Sequence, residues 1–383
     1  MEDQGYTPGM VLHYLRLFAK FDLWLLRRKR HLWRVNEKDA DGFLKRLRAR
    51  HPAIYPGSRS AIRLLFKLLR DVGVVSPQRE LIASTPVQRL ANEYRVFLQK
   101  KRGLDRATIY NYSRHIDRFL AERFGSARIN LRTLGVSDIA TFVRRHAPRH
   151  GRGLAAQMVT GLRSFFRFAQ FRGLVASDLA AVVPPVPNWK MAGLPKYLST
   201  EAVQRVLGAS ERATVRGKRD YAILLLLARL GLRGGEIVAL QLDDIDWANA
   251  ELAIRSKKGD GWARLPLLVD VGQALARYLS VRPPSAYRNV FVRDYAPYTP
   301  FAFTGAVSNL VRKAIKRAGV KSARNGAHVF RHTLATEMLR RGASLTEIGR
   351  VLRHRDPDST MIYAKVDLGA LRELALPWSG GAR

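Results

Sequence analysis

The spacing of hydrophobic residues predicts α-helices along most of the chain. Apolar side chains recur every three or four positions, which is the period of a helix that buries one face. The clearest examples are Ser60–Val72, Thr108–Phe119, Arg163–Phe171, Arg219–Leu230 and Phe303–Ala318. Near the start of the chain, the predicted buried stripe consists of Leu12, Leu15, Phe18 and Leu25. The pattern therefore predicts a mostly α fold.

A different pattern predicts a small β-sheet inside the C-terminal region. Ile245–Trp247, Glu251–Arg255 and Trp262–Leu268 have the length and composition of short strands. Between the last two, Lys257–Gly261 contains the glycines that suit the turn of a β-hairpin. We therefore expect a small antiparallel β-sheet in an otherwise helical domain.

Breaks in the helical pattern divide the chain into domains. We expect an N-terminal helical domain over residues 1–76, a second helical domain over 84–183, a linker over 184–196 and a C-terminal domain over 197–383. Pro184–Pro187 makes the linker stiff, because proline fixes φ and lacks an N–H donor.

The two N-terminal domains resemble each other in sequence. Matching residues recur at an offset that drifts only from 98 to 100. The pairs are Tyr14 and Phe21 with Tyr112 and Phe119, Asp39 and Phe43 with Asp138 and Phe142, and Gly73 with Gly173. This repetition favours an internal duplication. The alternative is that two basic helical bundles share such features without common origin.

The charge balance indicates a polyanionic partner. Lysine and arginine number 67 against 31 acidic residues, for a net charge of +36, and nucleic acid is the simplest partner for such a chain. A membrane-surface or ribosomal protein is the alternative. The hydrophobic content of 47% and the periodic helices favour a folded enzyme.

The composition also excludes several classes of site and location. The chain has no cysteine, which excludes disulfides, cysteine-ligated zinc and thiol catalysis. Met10–Leu26 contains charged residues that a signal peptide would lack, and the longest apolar run, Ala222–Ala228, is too short to span a bilayer. We therefore expect a cytoplasmic, nucleoid-associated protein without a membrane partner.

One stretch of short helices concentrates residues that suit an anionic ligand. His328 and Arg331 lie three positions apart and so project from the same helical face. Ser344 with Glu347 forms a capping box that begins a second helix. Asp356–Pro357 begins a third helix, which carries Tyr363 beyond His354. Each of these residues also has a structural alternative, as a helix cap, a surface charge or a core aromatic.

This stretch resembles the tyrosine recombinase, or phage integrase, family. The resemblance rests on HxxRH at 328–332, a later histidine, and a tyrosine nine residues beyond it. The family pattern also requires an arginine in a G-L-R-x-x-E turn and a lysine in a downstream hairpin. The matching residues, in order, are Arg233, Lys258, His328, Arg331, His354 and Tyr363, with Glu236 completing the turn motif. Arg353 departs from the glycine usual before the last histidine, so we expect a slightly different turn there.

The resemblance implies a fold and a reaction. It implies helical DNA-clamping bundles, with a SAM-like core-binding domain over 84–183, followed by a tyrosine-recombinase-like catalytic domain. It further implies a site-specific recombinase for DNA integration, excision or transposition, which acts through a 3′-phosphotyrosyl intermediate without metal or cofactor. The implied assembly is a homo-tetramer on two double-stranded DNA sites that passes through a Holliday junction, with or without sister recombinases.

The resemblance also implies residue roles that fit the chemistry of each side chain. Arg233 and Arg331 would clamp the scissile phosphate, because guanidinium groups donate paired charge-assisted hydrogen bonds. Tyr363 would be the nucleophile and His328 its base, while His354 would bind the phosphate. Lys258 would be the acid for the leaving 5′-hydroxyl, and Glu236 would orient its neighbours.

Two other functions remain open from the sequence. A type IB-like topoisomerase uses similar groups but relaxes DNA, and a non-catalytic DNA-binding protein could keep the same fold. The amphipathic segment around Leu371 is either an interface with a neighbouring protomer or packs within its own chain. Likewise, the basic helix Phe303–Ala318 either faces DNA or is simply solvated.

Overall fold

The computed structural model describes residues 1, 5–50, 57–75, 85–125, 129–186, 196–255, 261–354 and 356–366. These residues are mostly helical and contain one small antiparallel sheet, so the predicted fold class is confirmed. The helices are α1 (Pro8–Leu26), α2 (Glu37–Arg50), α3 (Ser58–Asp71), α4 (Pro86–Lys100), α5 (Arg106–Phe124), α6 (Val136–His146), α7 (Arg152–Phe171), α8 (Thr200–Gly208), α9 (Val215–Leu230), α10 (Gly234–Ala239), α11 (Val269–Leu279), α12 (Gly305–Arg317), α13 (His328–Arg340), α14 (Leu345–Val351) and α15 (Asp358–Met361). The strands are β1 (Ile245–Asp246), β2 (Glu251–Arg255) and β3 (Trp262–Pro266).

The chain divides into two compact units. The helical unit comprises Leu17–Ala192, and the C-terminal unit comprises Met1–Arg16 with Gly193–Arg383. The finer division into domains over residues 1–76 and 84–183 stays a prediction. Among the described residues, no helix is both long and apolar enough to cross a membrane.

Aromatic residues fill much of the core of the helical unit. Tyr94 of α4 is fully buried and meets Phe165 of α7 edge to face, with ring centroids 5.3 Å apart. Helix α4 begins as predicted: Thr85 Oγ1 accepts a hydrogen bond from the Gln88 N–H, and Pro86 occupies the first turn. A local cap thus sets where the helix begins, and the aromatic core sets which face is buried.

Helix α9 runs through the core of the C-terminal unit. Its residues Ala222–Leu227 are all buried, so apolar side chains lie on every side of this part of the helix. Thr214 caps its N-terminus, and Gly231 ends it with a φ of +57°. Because α9 is anchored in the core, its C-terminal end sets the position of the residues that follow Gly231, including Arg233.

The sheet has the order β1-β2-β3 with antiparallel pairing throughout. Arg255 at the end of β2 pairs with Trp262 at the start of β3, which confirms the predicted hairpin. Leu252 and Ile254 are buried against the core, while Trp262 is exposed. The sheet therefore packs one face on the core.

Candidate active site

A cavity of about 740 Å³ lies in the C-terminal unit. Its wall is formed by the start of α10, the hairpin ends of β2 and β3, the start of α13 and the segment after α14. The charged and histidine side chains of this wall are Arg233, Glu236, Arg255, His328, Arg353, His354 and Asp356. Three of the predicted catalytic residues, together with predicted Glu236, are thus brought to one place by the fold.

Arg233 is held at the N-terminus of α10 by Glu236. One carboxylate oxygen of Glu236 accepts the Arg233 backbone N–H at 2.8 Å, and the other accepts Arg233 Nη1 at 2.9 Å. Burial opposes ionisation of Glu236, but Arg353 and Arg233 outweigh it and lower its pKa. The carboxylate therefore stays charged and fixes Arg233 through these two hydrogen bonds.

Arg331 lies beneath the cavity and does not form its wall. Its side chain is buried, with Nη1 donating to the Gly231 carbonyl at 2.7 Å and Nη2 donating to the Leu352 carbonyl. Burial, followed by the nearby Arg233, lowers its pKa to about 9, so it remains charged at neutral pH. Arg331 thus ties the end of α9 to the end of α14, directly behind the predicted phosphate site.

His328 and His354 both line the cavity. Desolvation lowers the pKa of each, and Arg331 and Arg233 lower it further; the pKa of His354 falls to about 4. Nδ1 of His354 lies 2.6 Å from the Thr360 hydroxyl oxygen, which fixes the orientation of its ring. Both histidines are therefore neutral at pH 7 and available to share or accept a proton.

Tyr363 is buried and does not reach the cavity. It is 1% exposed and packs against Ala335, Ile348 and Leu352. Its hydroxyl oxygen lies 3.0 Å from Nδ1 of His332, and burial raises its pKa to about 12 although Arg331 and Arg233 oppose the rise. The predicted nucleophile is thus next to the site but withdrawn from it. Helix α15 begins at Asp358, one residue later than predicted, and ends at Met361, so the prediction that this helix carries Tyr363 is wrong.

Arg353 adopts the conformation that a glycine would adopt. Its φ is +56°, which for a residue with a side chain costs about 1–2 kcal/mol. The expected change in the turn is therefore not required, because arginine itself takes up the left-handed backbone. Its Nη2 donates to Glu236 Oε2 at 3.0 Å, and its side chain is only 13% exposed.

The hairpin that carries Lys258 begins at the cavity wall. Lys258 itself lies outside the described residues, as does the segment around Leu371. Arg255 and Trp262 flank the hairpin turn, and both line the cavity, with the guanidinium carbon of Arg255 4.6 Å from the Trp262 ring centroid. The predicted lysine is therefore three residues along the chain from a side chain in the cavity wall.

The comparisons with known proteins place this site in a family. Residues 196–368 match the phage integrase family. The chain is 42% identical to the integrase/recombinase y4rA of Sinorhizobium fredii, over 100% of this chain and 92% of that protein. The chain belongs to the phage integrase family. The tyrosine recombinase XerD of Mycobacterium tuberculosis is 32% identical, over 73% of this chain and 93% of that protein.

A solved structure agrees with this assignment at the level of fold. A lambda integrase tetramer bound to a Holliday junction matches with a TM-score of 0.57 at 16% identity, over 79% of this chain and 86% of that one. The protein is a tyrosine-type site-specific recombinase, so the predicted function and enzyme class are confirmed. The comparisons give no support to the topoisomerase or to the non-catalytic alternative.

Sequence reasoning missed two residues of this recombinase site. His332 belongs to the HxxRH motif, but the sequence alone gives it no role; the structure places it against Tyr363. Arg353 stands out in the sequence only as a departure from glycine; the structure places its guanidinium on Glu236. The signal in the sequence was the arginine in place of glycine at position 353. A bulky residue at a position that favours positive φ is strained, and such strain often marks a functional site.

Proposed function

We propose that the recombinase cleaves one DNA strand by attack of the Tyr363 hydroxyl on a backbone phosphorus. The new bond joins the tyrosine oxygen to phosphorus, and the bond from phosphorus to the 5′-oxygen breaks. The strand then carries a 3′-phosphotyrosyl end and a free 5′-hydroxyl. The proposal is carried mainly by one observation: Arg233, His328 and His354 line one cavity, with Arg331 and Tyr363 immediately behind it.

The arginines suit the charge that develops on the phosphate. Arg233 faces the cavity with a side chain 38% exposed, while Arg331 keeps N–H groups beyond the two that bind main-chain carbonyls. Preorganised donors of this kind are worth about 3–4 kcal/mol each in a transition state. We assign Arg233 to direct contact with the phosphate. We assign Arg331 to a second contact with the same phosphate, made from the buried side of the site after DNA has bound.

Two protons must move for the atoms to balance. The phenol proton of Tyr363 goes to a histidine, and we assign His328 because its ring lines the cavity where the phosphate would lie. His332 holds the phenol in the resting arrangement and is the competing acceptor. We assign Lys258 as the donor to the leaving 5′-oxygen, since three extended residues from Arg255 can reach about 10 Å.

The tyrosine must move before it can react. A phenol that is 1% exposed, with a pKa raised to about 12, is neither accessible nor ionised. It lies in the turn that follows the short helix α15, so a modest rearrangement of Asp358–Val366 could turn its oxygen toward the cavity. We propose that DNA binding drives this rearrangement, so that the site is assembled only on its substrate.

The partners of the reaction follow from charge and from the family. A net charge of +36 favours double-stranded DNA as the ligand and a nucleoid-associated location. We propose that four copies act on two DNA sites, as in the lambda integrase tetramer bound to a Holliday junction. The segment around Leu371 is the proposed contact between protomers, and sister recombinases could replace copies of this chain.

A nicked duplex tests the proposed reaction. On such a substrate the short strand beyond the nick diffuses away after cleavage, which traps the covalent adduct. We expect wild type and the matched variant Tyr287→Phe, whose side chain is exposed, to form the adduct, and Tyr363→Phe to form none. An adduct that persists in Tyr363→Phe would overturn the assignment of the nucleophile.

We also propose that residues 1–76 arose by duplication of the bundle over 84–183. Helices α1 and α5 both contain 19 residues. The Phe21 and Phe43 rings lie 5.0 Å apart, and their counterparts Phe119 and Phe142 lie 5.2 Å apart. These common features include packing as well as sequence, so they support a shared origin.

Helices α2 and α6, which carry the matched aspartates of the two copies, begin with the same local hydrogen bond. Asp39 Oδ2 accepts the N–H of Asn36 at 3.1 Å, and Asp138 Oδ2 accepts the N–H of Gly135 at 3.0 Å. Each aspartate is three residues beyond the residue whose N–H it binds. The two copies thus begin this helix in the same way.

Exposed positive charge recurs with the same drift in offset, from 98 to 100. The exposed pairs are Lys20 with Arg118, Lys45–Arg46 with Arg144–Arg145, and Lys67 with Arg167. These charges lie on the surface, outside the aromatic core, so their recurrence supports the proposal of a shared anionic partner. We propose that the first copy binds a further segment of duplex DNA.

A further inference from the structure

We propose that Arg353 is a positioning residue of the cleavage site. The inference rests on the function proposed above. Arg353 occupies a left-handed backbone position, with a φ of +56°, and a glycine would adopt that conformation without strain. Its guanidinium is nevertheless directed into the wall of the cavity and lies on Glu236. The contacts of this guanidinium point to the positioning role.

Arg353 closes a ring of hydrogen bonds around Arg233. Glu236 accepts Arg233 Nη1 at 2.9 Å and Arg353 Nη2 at 3.0 Å. The backbone carbonyl of Arg353 in turn accepts Arg233 Nη2 at 3.0 Å. Both terminal nitrogens of Arg233 are thus held, one by Glu236 and one by residue 353. The guanidinium plane of Arg233 therefore has little freedom to rotate.

Arg353 also offsets the charge of Glu236. The carboxylate is needed to hold Arg233, but its negative charge would offset that arginine and weaken stabilisation of the charge that develops on the phosphate in the transition state. With Arg353 paired to the second carboxylate oxygen, the trio keeps a net positive charge. With Arg353 present, Glu236 can therefore fix the orientation of Arg233 while the site keeps its positive electrostatic potential.

The geometry favours positioning over direct contact with phosphate. Nη2 of Arg353 is engaged by Glu236, and Nη1 donates to the Val351 carbonyl at 3.1 Å. The side chain is 13% exposed, whereas that of Arg233 is 38% exposed. Arg233 is thus the group presented to the substrate, and Arg353 acts through it.

A glycine substitution tests this assignment, because Arg353→Gly removes the guanidinium and keeps the backbone conformation and its carbonyl. On the nicked duplex, we expect the rate of adduct formation to fall about tenfold, since small displacements of a catalytic group have effects of this size or larger. The dissociation constant for the same DNA should stay within about twofold of wild type. Arg353→Lys should recover part of the rate, because lysine can still pair with Glu236.

Two further variants separate the positioning role from general effects on folding. Ala250→Gly relieves a positive φ of 51° in the same unit and should leave the rate unchanged. Glu236→Gln should lower the rate of adduct formation more when it is introduced into wild type than when it is introduced into the Arg353→Gly variant, because the two side chains act together.

Three outcomes would overturn the assignment. A wild-type rate in Arg353→Gly would make the guanidinium dispensable. A loss of DNA affinity equal to the loss of rate would make it a direct DNA contact. Absence of an adduct from wild type would instead overturn the proposed function itself, and this assignment with it.

Discussion

Nδ1 of His332 lies 3.0 Å from the hydroxyl oxygen of Tyr363, and this contact holds the tyrosine away from the cavity. The His332 and Tyr363 rings meet edge to face, with centroids 5.7 Å apart, while His354 stacks at 6.4 Å. The tyrosine is therefore packed between two histidines of the family motif. This arrangement couples the protonation of these partly buried histidines to the stability of the resting site.

The first prediction is a loss of stability at mildly acidic pH. Burial, followed by nearby positive groups and histidines, lowers the pKa of His332 and of His354 to about 4. Unfolded histidine takes up a proton below about pH 6.5, so between about pH 6.5 and 4 the unfolded state binds more protons. As the pH is lowered through this range, the free energy of unfolding should decrease by at most about 1.4 kcal/mol per pH unit for each histidine.

His332→Gln isolates one of these contributions. Urea unfolding from pH 6.5 to 4.5 should show a shallower pH dependence than wild type, because glutamine does not titrate. A slope equal to that of wild type would show that His332 does not have the lowered pKa.

The second prediction separates the two arginines of the site. Arg233→Lys keeps the charge but loses the paired hydrogen bonds to Glu236 and Arg353, so cleavage should fall by about 100-fold or more, in line with removal of a preorganised donor. Its melting temperature should change little, because the side chain is partly exposed. Arg331→Lys should lower both cleavage and melting temperature, since Arg331 is buried and binds two main-chain carbonyls.

Adduct assays and thermal melts on both variants check this difference. Equal melting temperatures for the two variants would contradict the structural part of the role given to Arg331.

The third prediction concerns the glycine that ends α9. Gly231 has a φ of +57°, and a Cβ there would lie 2.8 Å from Leu352 Cδ2. Gly231→Ala should therefore destabilise the protein by about 1–3 kcal/mol through overpacking, in addition to the backbone strain. Gly319→Ala is the matched control, because Gly319 has a φ of +63° and no atom within 4 Å of such a Cβ.

Chemical denaturation of both variants separates these two contributions. Equal destabilisation would show that the contact with Leu352 adds nothing to the strain.

The fourth prediction tests DNA binding by the first copy of the bundle. Reversing the recurring pair, Lys45→Glu with Arg46→Glu, should lower the slope of log affinity against log salt by about 2 on a long duplex, since each phosphate that the protein neutralises contributes roughly 0.9 to that slope. The control reverses Lys38 and Arg48, which are exposed basic residues without a basic counterpart at the same offset.

Salt-dependent binding of the wild type and both double variants provides the measurement. If reversing Lys38 and Arg48 lowers the slope as much as reversing Lys45 and Arg46 does, the basic residues of this bundle attract DNA without forming a specific binding surface.

Local chemistry made several parts of the fold predictable. The cap at Thr85 and the capping box of Ser344 and Glu347 form as expected, because each depends on residues close together in sequence. The order of the family motif likewise placed Arg233 and His354 at one site. The contacts of His332 and Arg353 depend on how α13, α14 and α10 pack, and the residue pattern does not encode that packing.

Helix α1 shows where periodicity alone was wrong. The predicted stripe included Leu12 and Leu15, but these are 49% and 53% exposed, while Leu17 and Phe21 are fully buried. A helix rich in leucine offers two apolar faces, and the pattern cannot rank them. Packing of Phe21 against Phe43 identifies the buried face, and this contact joins two helices.

The most direct test of the account is to identify the residue that carries DNA after cleavage. Wild-type protein should be trapped on a nicked duplex, digested with protease, and the peptide that retains a nucleotide sequenced by mass spectrometry. We expect the modification on Tyr363, with the phosphate joined to the 3′ end of the cleaved strand. A modification on another residue, or a phosphate joined to a 5′ end, would contradict the central claim.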